Sequence, residues 1–170
     1  MTQMLPGDFY LTRIGGATGV FVTLSQWAIG DLSRYSHAGI YLGDYKGDGI
    51  DYVAEAMPGG LQINPLTKYH GKELVHSDFQ LSDGTRGDIV RLAASMEGTP
   101  YSYLGYLYLG LTSFNHCPQW IKNKVSSSNA LFCSQFVDYV YSKSGVELFT
   151  DDRLYLDVTP GDLARLVAEH

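Results

Sequence analysis

The sequence predicts an α+β fold in which a small antiparallel sheet, or half-barrel, packs against a layer of helices. Strand-like alternation fills much of the first half of the chain, and helix-like spacing of apolar residues dominates the second half. The 170 residues, of which 45% are hydrophobic, are enough for one domain with its own core. No repeat, linker or low-complexity tract divides the chain, so we expect a single domain over residues 1–170.

The predicted sheet has five short strands. DFYLTRI (8–14) alternates as a strand does, and HAGIYLG (37–43) and DYVAEAM (51–57) flank the turn-rich DYKGDG, which predicts a hairpin. Two further strands are expected in GLQINPL (60–66) and ELVHSDFQL (73–81). Their order along the chain favours an antiparallel arrangement, because the connections are short.

Helices are predicted over 20–32, 85–98, 101–111, 133–145 and 159–170. The last of them begins with a threonine N-cap followed by proline, and the fourth ends at a glycine suited to the C′ position. The two clearest apolar faces are Ile89, Leu92, Ala93 and Met96 in one helix and Phe136, Val137, Val140 and Tyr141 in another.

The charge and hydropathy of the sequence argue against several classes of binding partner and against insertion into a membrane. A formal net charge of −6, with twelve basic residues and no basic patch, argues against nucleic acid and against an anionic membrane surface. The sequence contains no apolar run long enough for an integral membrane segment, and the amino terminus lacks the pattern of a cleaved signal peptide. We therefore expect a protein that is cytoplasmic, or exported or virion-delivered without a cleaved signal.

Cys133 is the candidate nucleophile. It lies at the start of a predicted helix, where unpaired N–H groups and the helix dipole favour a thiolate. Two cysteines cannot form a disulfide framework, but a buried core cysteine or a single Cys117–Cys133 bridge also explains the residue. A metal site made of His116, Cys117 and Cys133 lacks a fourth ligand at a usual spacing, so no metal or cofactor is expected.

His37 is the best candidate base among the five histidines. It opens the HAGIYLG strand, and a histidine at a strand end is well placed to face the start of a helix. His70 in a polar loop and His170 at the chain end fit solvated roles, His116 lies in a loop, and His76 fits a structural role beside acidic residues. The alternative for His37 itself is an edge histidine without a functional partner.

Glu55 is the candidate orienting group for the imidazole. A hairpin centred near Lys46 would place Glu55 opposite His37, where a carboxylate fixes the tautomer and stabilises the imidazolium. The neighbours of Glu55 in the chain are apolar, which an unpaired carboxylate would resist. A slip of one residue in the register would turn Glu55 to the other face of the sheet.

Six segments of the chain together resemble one family. They are PGDFYLTR, YSHAGIYLG, YVAEAMPGGLQINPL, MEGTPYSY, LFCSQFVDYVYSKSGVEL and VTPGDLARL, and they run from residue 6 to about residue 166. The chain resembles the circularly permuted NlpC-type papain-fold cysteine peptidases and amidases, the YiiX/YaeF-like branch, which is distantly related to lecithin retinol acyltransferase. In that branch the histidine strand precedes the cysteine helix, as it does here.

The resemblance implies a circularly permuted papain-like (NlpC-type) fold with Cys133 as nucleophile, His37 as base and Glu55 as the third polar residue. It also matches Tyr101 to a tyrosine that lines the cleft and helps to hold the oxyanion, although a core aromatic is an equal alternative. The backbone N–H of Cys133 would be the other oxyanion donor.

Two hydroxyls complete the candidate substrate-binding or oxyanion residues. They are Ser36 and Ser134, the chain neighbours of the base and of the nucleophile. The segment 112–130, which contains Cys117, departs from the family pattern and has no assigned role.

The function that these features imply is a cysteine hydrolase acting on an amide, in a cell-wall peptide or a related small peptide or isopeptide. Acyl transfer from a lipid or thioester through the same cysteine is the enzymatic alternative. The acyltransferase relatives carry a membrane anchor and a second histidine where this chain has Glu55, which places that alternative lower. The non-enzymatic alternative is a papain-fold binding module of a phage or secretion assembly.

Overall fold

In the part of the chain that the structure describes, an antiparallel sheet has helices packed against it. The structure is a computed structural model that describes residues 3–15, 33–57, 59–100, 132–151 and 158–169. The sheet has the order β4-β3-β2-β1-β5, and every neighbouring pair is antiparallel. The strands are β1 (Phe9–Thr12), β2 (His37–Gly43), β3 (Tyr52–Met57), β4 (Gly60–Pro65) and β5 (Leu74–His76).

Three helices are described, and a 3-10 turn over Leu66–Tyr69 follows β4. The helices are α1 (Asp83–Ser95), α2 (Cys133–Lys143) and α3 (Pro160–Glu169). The α+β class, the five strands and these three helices confirm the predictions, although the strand expected over 73–81 is limited to β5. The helices predicted over 20–32 and 101–111 lie outside the described residues.

The central strand β2 is covered on both faces, and all seven of its residues are buried. On one face, alternate residues of β2 and β3 such as Ile40 and Ala54 belong to the main apolar core. This face receives α2, whose predicted apolar side is fully buried. The buried residues of that side are Phe136, Val137, Val140 and Tyr141.

Helix α3 starts as its sequence predicts. The Thr159 N–H donates to Asp162 Oδ2 at 2.8 Å, and the Asp162 N–H donates to Thr159 Oγ1 at 3.0 Å. This reciprocal capping box satisfies two N–H groups that the first turn of a helix leaves without intrahelical acceptors. At the end of α2, Gly145 has a φ of +80°, as expected for a C′ glycine.

The predicted pairing that placed Glu55 opposite His37 is wrong by two residues. Ile40 pairs with Ala54, and this register, continued to the start of β2, puts Met57 opposite His37. Because side chains alternate with a period of two, the shift leaves Glu55 on the same face as His37, in the diagonal position. The prediction that the two side chains meet therefore survives the error.

Gly39 leaves room for an aromatic ring on that face. It lies opposite Tyr10 in the ladder, and an added Cβ would come within 2.7 Å of the Tyr10 ring and hydroxyl and 2.8 Å of the Ala54 carbonyl oxygen. We expect Gly39→Ala to lower the free energy of unfolding by about 2 kcal/mol, because a buried ring and a strand backbone must both move. Urea unfolding measures the change.

Gly15→Ala is the matched control, since a Cβ at Gly15 meets nothing within 4 Å. Its free energy of unfolding should differ from that of the wild type by no more than about 0.5 kcal/mol. Equal effects of the two substitutions would contradict the packing described for Gly39.

None of the helices within the described ranges is long and apolar enough to cross a membrane.

Candidate active site

Cys133 is the first residue of α2, and its sulfur forms no disulfide bond among the residues that the structure describes. The Phe132 N–H donates to Gln135 Oε1 at 3.3 Å, which fixes the chain where it enters the helix. The sulfur therefore lies in the first turn, where the helix dipole and the N–H groups favour an anion. Cys133 is only 1% exposed.

His37 connects the thiol to the carboxylate. It is the first residue of β2, is 1% exposed, and forms a side-chain hydrogen bond with Cys133. Its Nε2 lies 2.8 Å from Oε2 of Glu55. Because Glu55 holds Nε2, Nδ1 is the ring nitrogen left for the sulfur. The structure thus brings together the three residues that the sequence singles out as nucleophile, base and orienting group.

Glu55 is completely buried, and both of its oxygens are hydrogen-bonded. The hydroxyls of Tyr69 and, at 3.4 Å, Tyr10 donate to Oε2, the oxygen that faces His37. Lys68 Nζ donates to Oε1 at 2.7 Å, and Asn64 Nδ2 donates to the same oxygen at 2.9 Å. Such a set of donors offsets the cost of taking a carboxylate out of water.

Sequence reasoning missed these four donors. Lys68 and Tyr69 belong to the 3-10 turn after β4, in a segment that composition alone marks as a polar loop. Tyr10 is one of thirteen tyrosines, and its alternation in β1 indicates only a buried strand position. Asn64 is the one donor with a usable signal, because it lies two residues beyond Gln62, which pairs with Glu55 and so shares its face.

The charged groups shift one another's pKa in the directions that an ion pair requires. Burial alone lowers the pKa of His37, but its hydrogen bonds with Cys133 and Glu55, and the negative charges there, raise it to about 9. Burial alone raises the pKa of Glu55. The hydrogen bond and the positive charge of His37, together with hydrogen bonds from Lys68 and Tyr69, lower that pKa to about 2. Burial beside Glu55 raises the pKa of Tyr10 and of Tyr69.

These shifts predict a stability window. The pKa of Glu55 is lower in the folded state, so its contribution is complete above its ordinary value of 4.5 and is lost as the pH falls toward about 2. The pKa of His37 is higher in the folded state, so its contribution is complete below 6.5 and is lost as the pH rises through about 9. Since both shifts belong largely to one coupled pair, the site stabilises the fold most between about pH 4.5 and 6.5.

We expect the free energy of unfolding to fall by up to about 3 kcal/mol between pH 4.5 and pH 2 through Glu55 alone. Urea unfolding at several pH values measures this loss, with Glu55→Gln as the comparison because it cannot take up the proton. The curve of the variant should be flatter over the acid range. Parallel curves for the two proteins would contradict the ionised, buried state of Glu55.

The remaining candidate site residues have other partners or lie outside the described residues. The buried Ser36 hydroxyl accepts a hydrogen bond from the Ile14 N–H at 3.2 Å, and the buried Ser134 hydroxyl donates to the Val158 carbonyl at 2.6 Å. Both hydroxyls thus make contacts within the fold, and their role in substrate or oxyanion binding stays a prediction. Tyr101 lies outside the described residues.

The other histidines do not join the site where the structure describes them. His76 Nδ1 lies 2.8 Å from the Ser77 carbonyl oxygen, a structural contact at the end of β5, and His70 is exposed in a turn. His116, Cys117 and His170 lie outside the described residues.

Comparison with known proteins identifies a similar structure. No family model matches the chain, and no curated protein matches its sequence. Among solved structures, the chain is similar to the crystal structure of the metalloprotein YiiX from Escherichia coli O157:H7, a DUF1105 protein. The TM-score is 0.60 at 19% sequence identity, over 85% of this chain and 69% of the YiiX chain. The chain therefore has a YiiX-like fold.

Proposed function

We propose that this protein is a cysteine hydrolase that cleaves an amide bond, on a circularly permuted papain-like domain. Cys133 is the nucleophile, His37 the general acid and base, and Glu55 the residue that orients the imidazole. One observation carries the proposal: a single imidazole contacts a thiol at the start of a helix and, through its other nitrogen at 2.8 Å, a buried carboxylate. This is the arrangement that activates a cysteine for acyl transfer.

In the first half of the reaction, the Cys133 thiolate attacks the amide carbonyl carbon, and the carbonyl electron pair moves to the oxygen. The backbone N–H of Cys133, in the first turn of α2, is suited to stabilise that oxyanion. His37 then passes the proton on Nδ1 to the amide nitrogen, the electron pair on the oxyanion re-forms the C=O bond, and the C–N bond breaks. The products are a free amine, a thioester on Cys133 and a neutral His37.

In the second half, Nδ1 of His37 accepts a proton from water as the water oxygen attacks the thioester carbonyl. The C–S bond breaks, the carboxylic acid leaves, and the thiolate and imidazolium are restored. Glu55 keeps its hydrogen bond to Nε2 through both halves, which holds the ring in one orientation.

The low exposure of the sulfur limits how a substrate reaches it. Cys133 and His37 are each 1% exposed, so access of an amide to the sulfur depends on the groups that cover these two side chains. A cell-wall peptide, or a related small peptide or isopeptide, is the substrate class that the family resemblance suggests.

The similarity to a metalloprotein makes a metal ion at this site worth testing against the residues. Among the residues that the structure describes, no three histidine, cysteine or acidic side chains are grouped to hold a metal. Both carboxylate oxygens of Glu55, the atoms that could bind a metal ion, already contact nitrogen atoms of other side chains. Lys68 Nζ lies 2.7 Å from Oε1, and His37 Nε2 lies 2.8 Å from Oε2. A lysine cation in contact with the carboxylate repels a second cation, so this donor set does not fit a metal ion.

A turnover experiment tests the proposal. The purified protein is incubated with a panel of cell-wall stem peptides and isopeptides in water enriched in ¹⁸O, and the products are identified by mass spectrometry. Hydrolysis predicts a new amine, an acid carrying one ¹⁸O atom, and a transient adduct that peptide mapping assigns to Cys133.

Two other outcomes decide against it. Transfer of the acyl group to an added amine or lipid without ¹⁸O incorporation would indicate an acyltransferase. Product formation that is equal in wild type and in Cys133→Ala would show that the cysteine is not the nucleophile.

A further inference from the structure

The two oxygens of Glu55 face different surroundings. Oε2 faces His37 and the tyrosine hydroxyls, all of them buried, whereas Oε1 faces Lys68 and Asn64. The Lys68 side chain is 35% exposed, so its ammonium contacts the buried carboxylate while part of the chain stays in water. This partial exposure keeps the cost of desolvating the ammonium small compared with that of a fully buried ion.

The charge next to Glu55 changes during the proposed reaction. In the resting state the carboxylate contacts two cations, the His37 imidazolium and Lys68. After the amine has left, His37 is neutral, and Lys68 is the cation that still contacts Glu55. The other described groups around the carboxylate are Tyr10, Tyr69 and Asn64, which donate hydrogen bonds but carry no positive charge.

Neutral His37 needs its one ring proton on Nε2. If Glu55 were instead protonated by a proton taken up from water, it would donate that proton to Nε2, and the one N–H of the neutral ring would lie on Nδ1. Nδ1 is the nitrogen that has to accept a proton from water when the thioester is hydrolysed. A protonated Glu55 would therefore block the second half of the reaction while leaving the first half intact.

We propose that Lys68 is a positioning residue that holds Glu55 as a carboxylate while His37 is neutral, and so keeps Nδ1 ready for hydrolysis of the thioester. Lys68 acts through Glu55 and does not touch the substrate. The inference rests on the proposed function for its role in turnover, but its effect on the imidazole proton is measurable without turnover.

Three variants separate charge from hydrogen bonding. Lys68→Gln keeps an N–H donor and removes the charge, and Lys68→Arg keeps both. Lys72→Met is the matched control, because Lys72 Nζ lies 5.2 Å from the centroid of the Tyr69 ring and its loss removes a nearby charge. Urea unfolding of each variant shows which of them fold, and Lys68→Met, which also removes the charge, replaces Lys68→Gln if that variant does not fold.

The first readout is independent of activity. In a Cys133→Ala background His37 lacks the thiolate, and ¹⁵N NMR of its ring, over the whole pH range in which the ring carries one proton, reports which nitrogen holds it. With Lys68 or Lys68→Arg we expect the Nε2–H tautomer, and with Lys68→Gln a clear rise of the Nδ1–H tautomer. The same tautomer in all of these proteins would overturn the inference.

The second readout is turnover. With Lys68→Gln we expect kcat to fall about 10-fold and the Cys133 thioester to accumulate in quenched samples, while its rate of formation changes less than about 3-fold. Lys68→Arg and Lys72→Met should stay within about 3-fold of the wild type in kcat. A thioester that forms more slowly but does not accumulate would contradict the inference. Absence of any amide hydrolysis by the wild type would refute the proposed function, and the NMR result would still judge Lys68.

Discussion

Cys133→Ala is expected to lower kcat/KM for amide hydrolysis by about 10⁴-fold or more, because Cys133 carries the one thiol among the residues that the structure describes. Steady-state kinetics with the substrate found in the turnover experiment measures the loss. Ser142→Ala, at a partly exposed hydroxyl near the end of the same helix, is the control and should leave the rate unchanged. Circular dichroism should show that both variants keep the fold.

His37→Ala is expected to cause a loss of similar size, and the double variant should be hardly worse than either single one. The rate losses from substituting residues that act as a unit are strongly non-additive. The thiolate cannot complete the reaction without its proton donor, and the imidazole has no nucleophile to serve without the sulfur. Losses that multiply in the double variant would show that Cys133 and His37 contribute separately, against the contact that the structure shows between them.

Glu55→Gln is the second change with a large expected effect. We expect kcat to fall about 10²-fold or more, because the amide can hydrogen-bond to Nε2 but cannot stabilise the imidazolium with a charge. We also expect the free energy of unfolding to fall by about 3 kcal/mol near pH 6, because the charged side chains of Lys68 and His37 lose the carboxylate with which both of them pair. Kinetics and urea unfolding on the same preparations measure both effects.

Glu73→Gln is the control for this substitution. Glu73 pairs with Arg34 at 2.6 Å, but its side chain is 51% exposed, and such surface pairs contribute about 1 kcal/mol or less. The kcat of the Glu73→Gln protein should equal that of the wild type. A Glu55→Gln protein as active and as stable as the control would mean that the buried carboxylate neither orients the imidazole nor stabilises the fold.

Sequence patterns were sufficient to predict the elements that position the site. The alternation in HAGIYLG and DYVAEAM predicts β2 and β3, and the apolar face that begins at Phe136 predicts α2 with Cys133 at its start. The meeting of His37 and Glu55 was predicted with the wrong register, and it held because an error of two residues preserves the face. The prediction therefore depended on the alternation of side chains between the two faces of the sheet and not on the exact pairing of residues.

The surroundings of Glu55 could not be predicted in the same way. Lys68 and Tyr69 reach the carboxylate because the chain turns back after Pro65 in a 3-10 turn, and neither periodicity nor composition encodes that direction. The Tyr10 hydroxyl, on β1, reaches Glu55, on β3, by crossing β2 at Gly39, where the absence of a side chain leaves room for the ring. Contacts of this kind depend on tertiary geometry and are seen only once the strands are placed.

The most direct test of the proposed mechanism is an NMR titration of the His37 ring in wild type and in Cys133→Ala. If the thiolate and the imidazolium form an ion pair, the wild-type ring stays doubly protonated until about pH 9, and removal of the sulfur lowers the pH at which it loses a proton. A His37 that titrates at the same pH in both proteins would contradict the ion pair and, with it, the proposed cysteine chemistry.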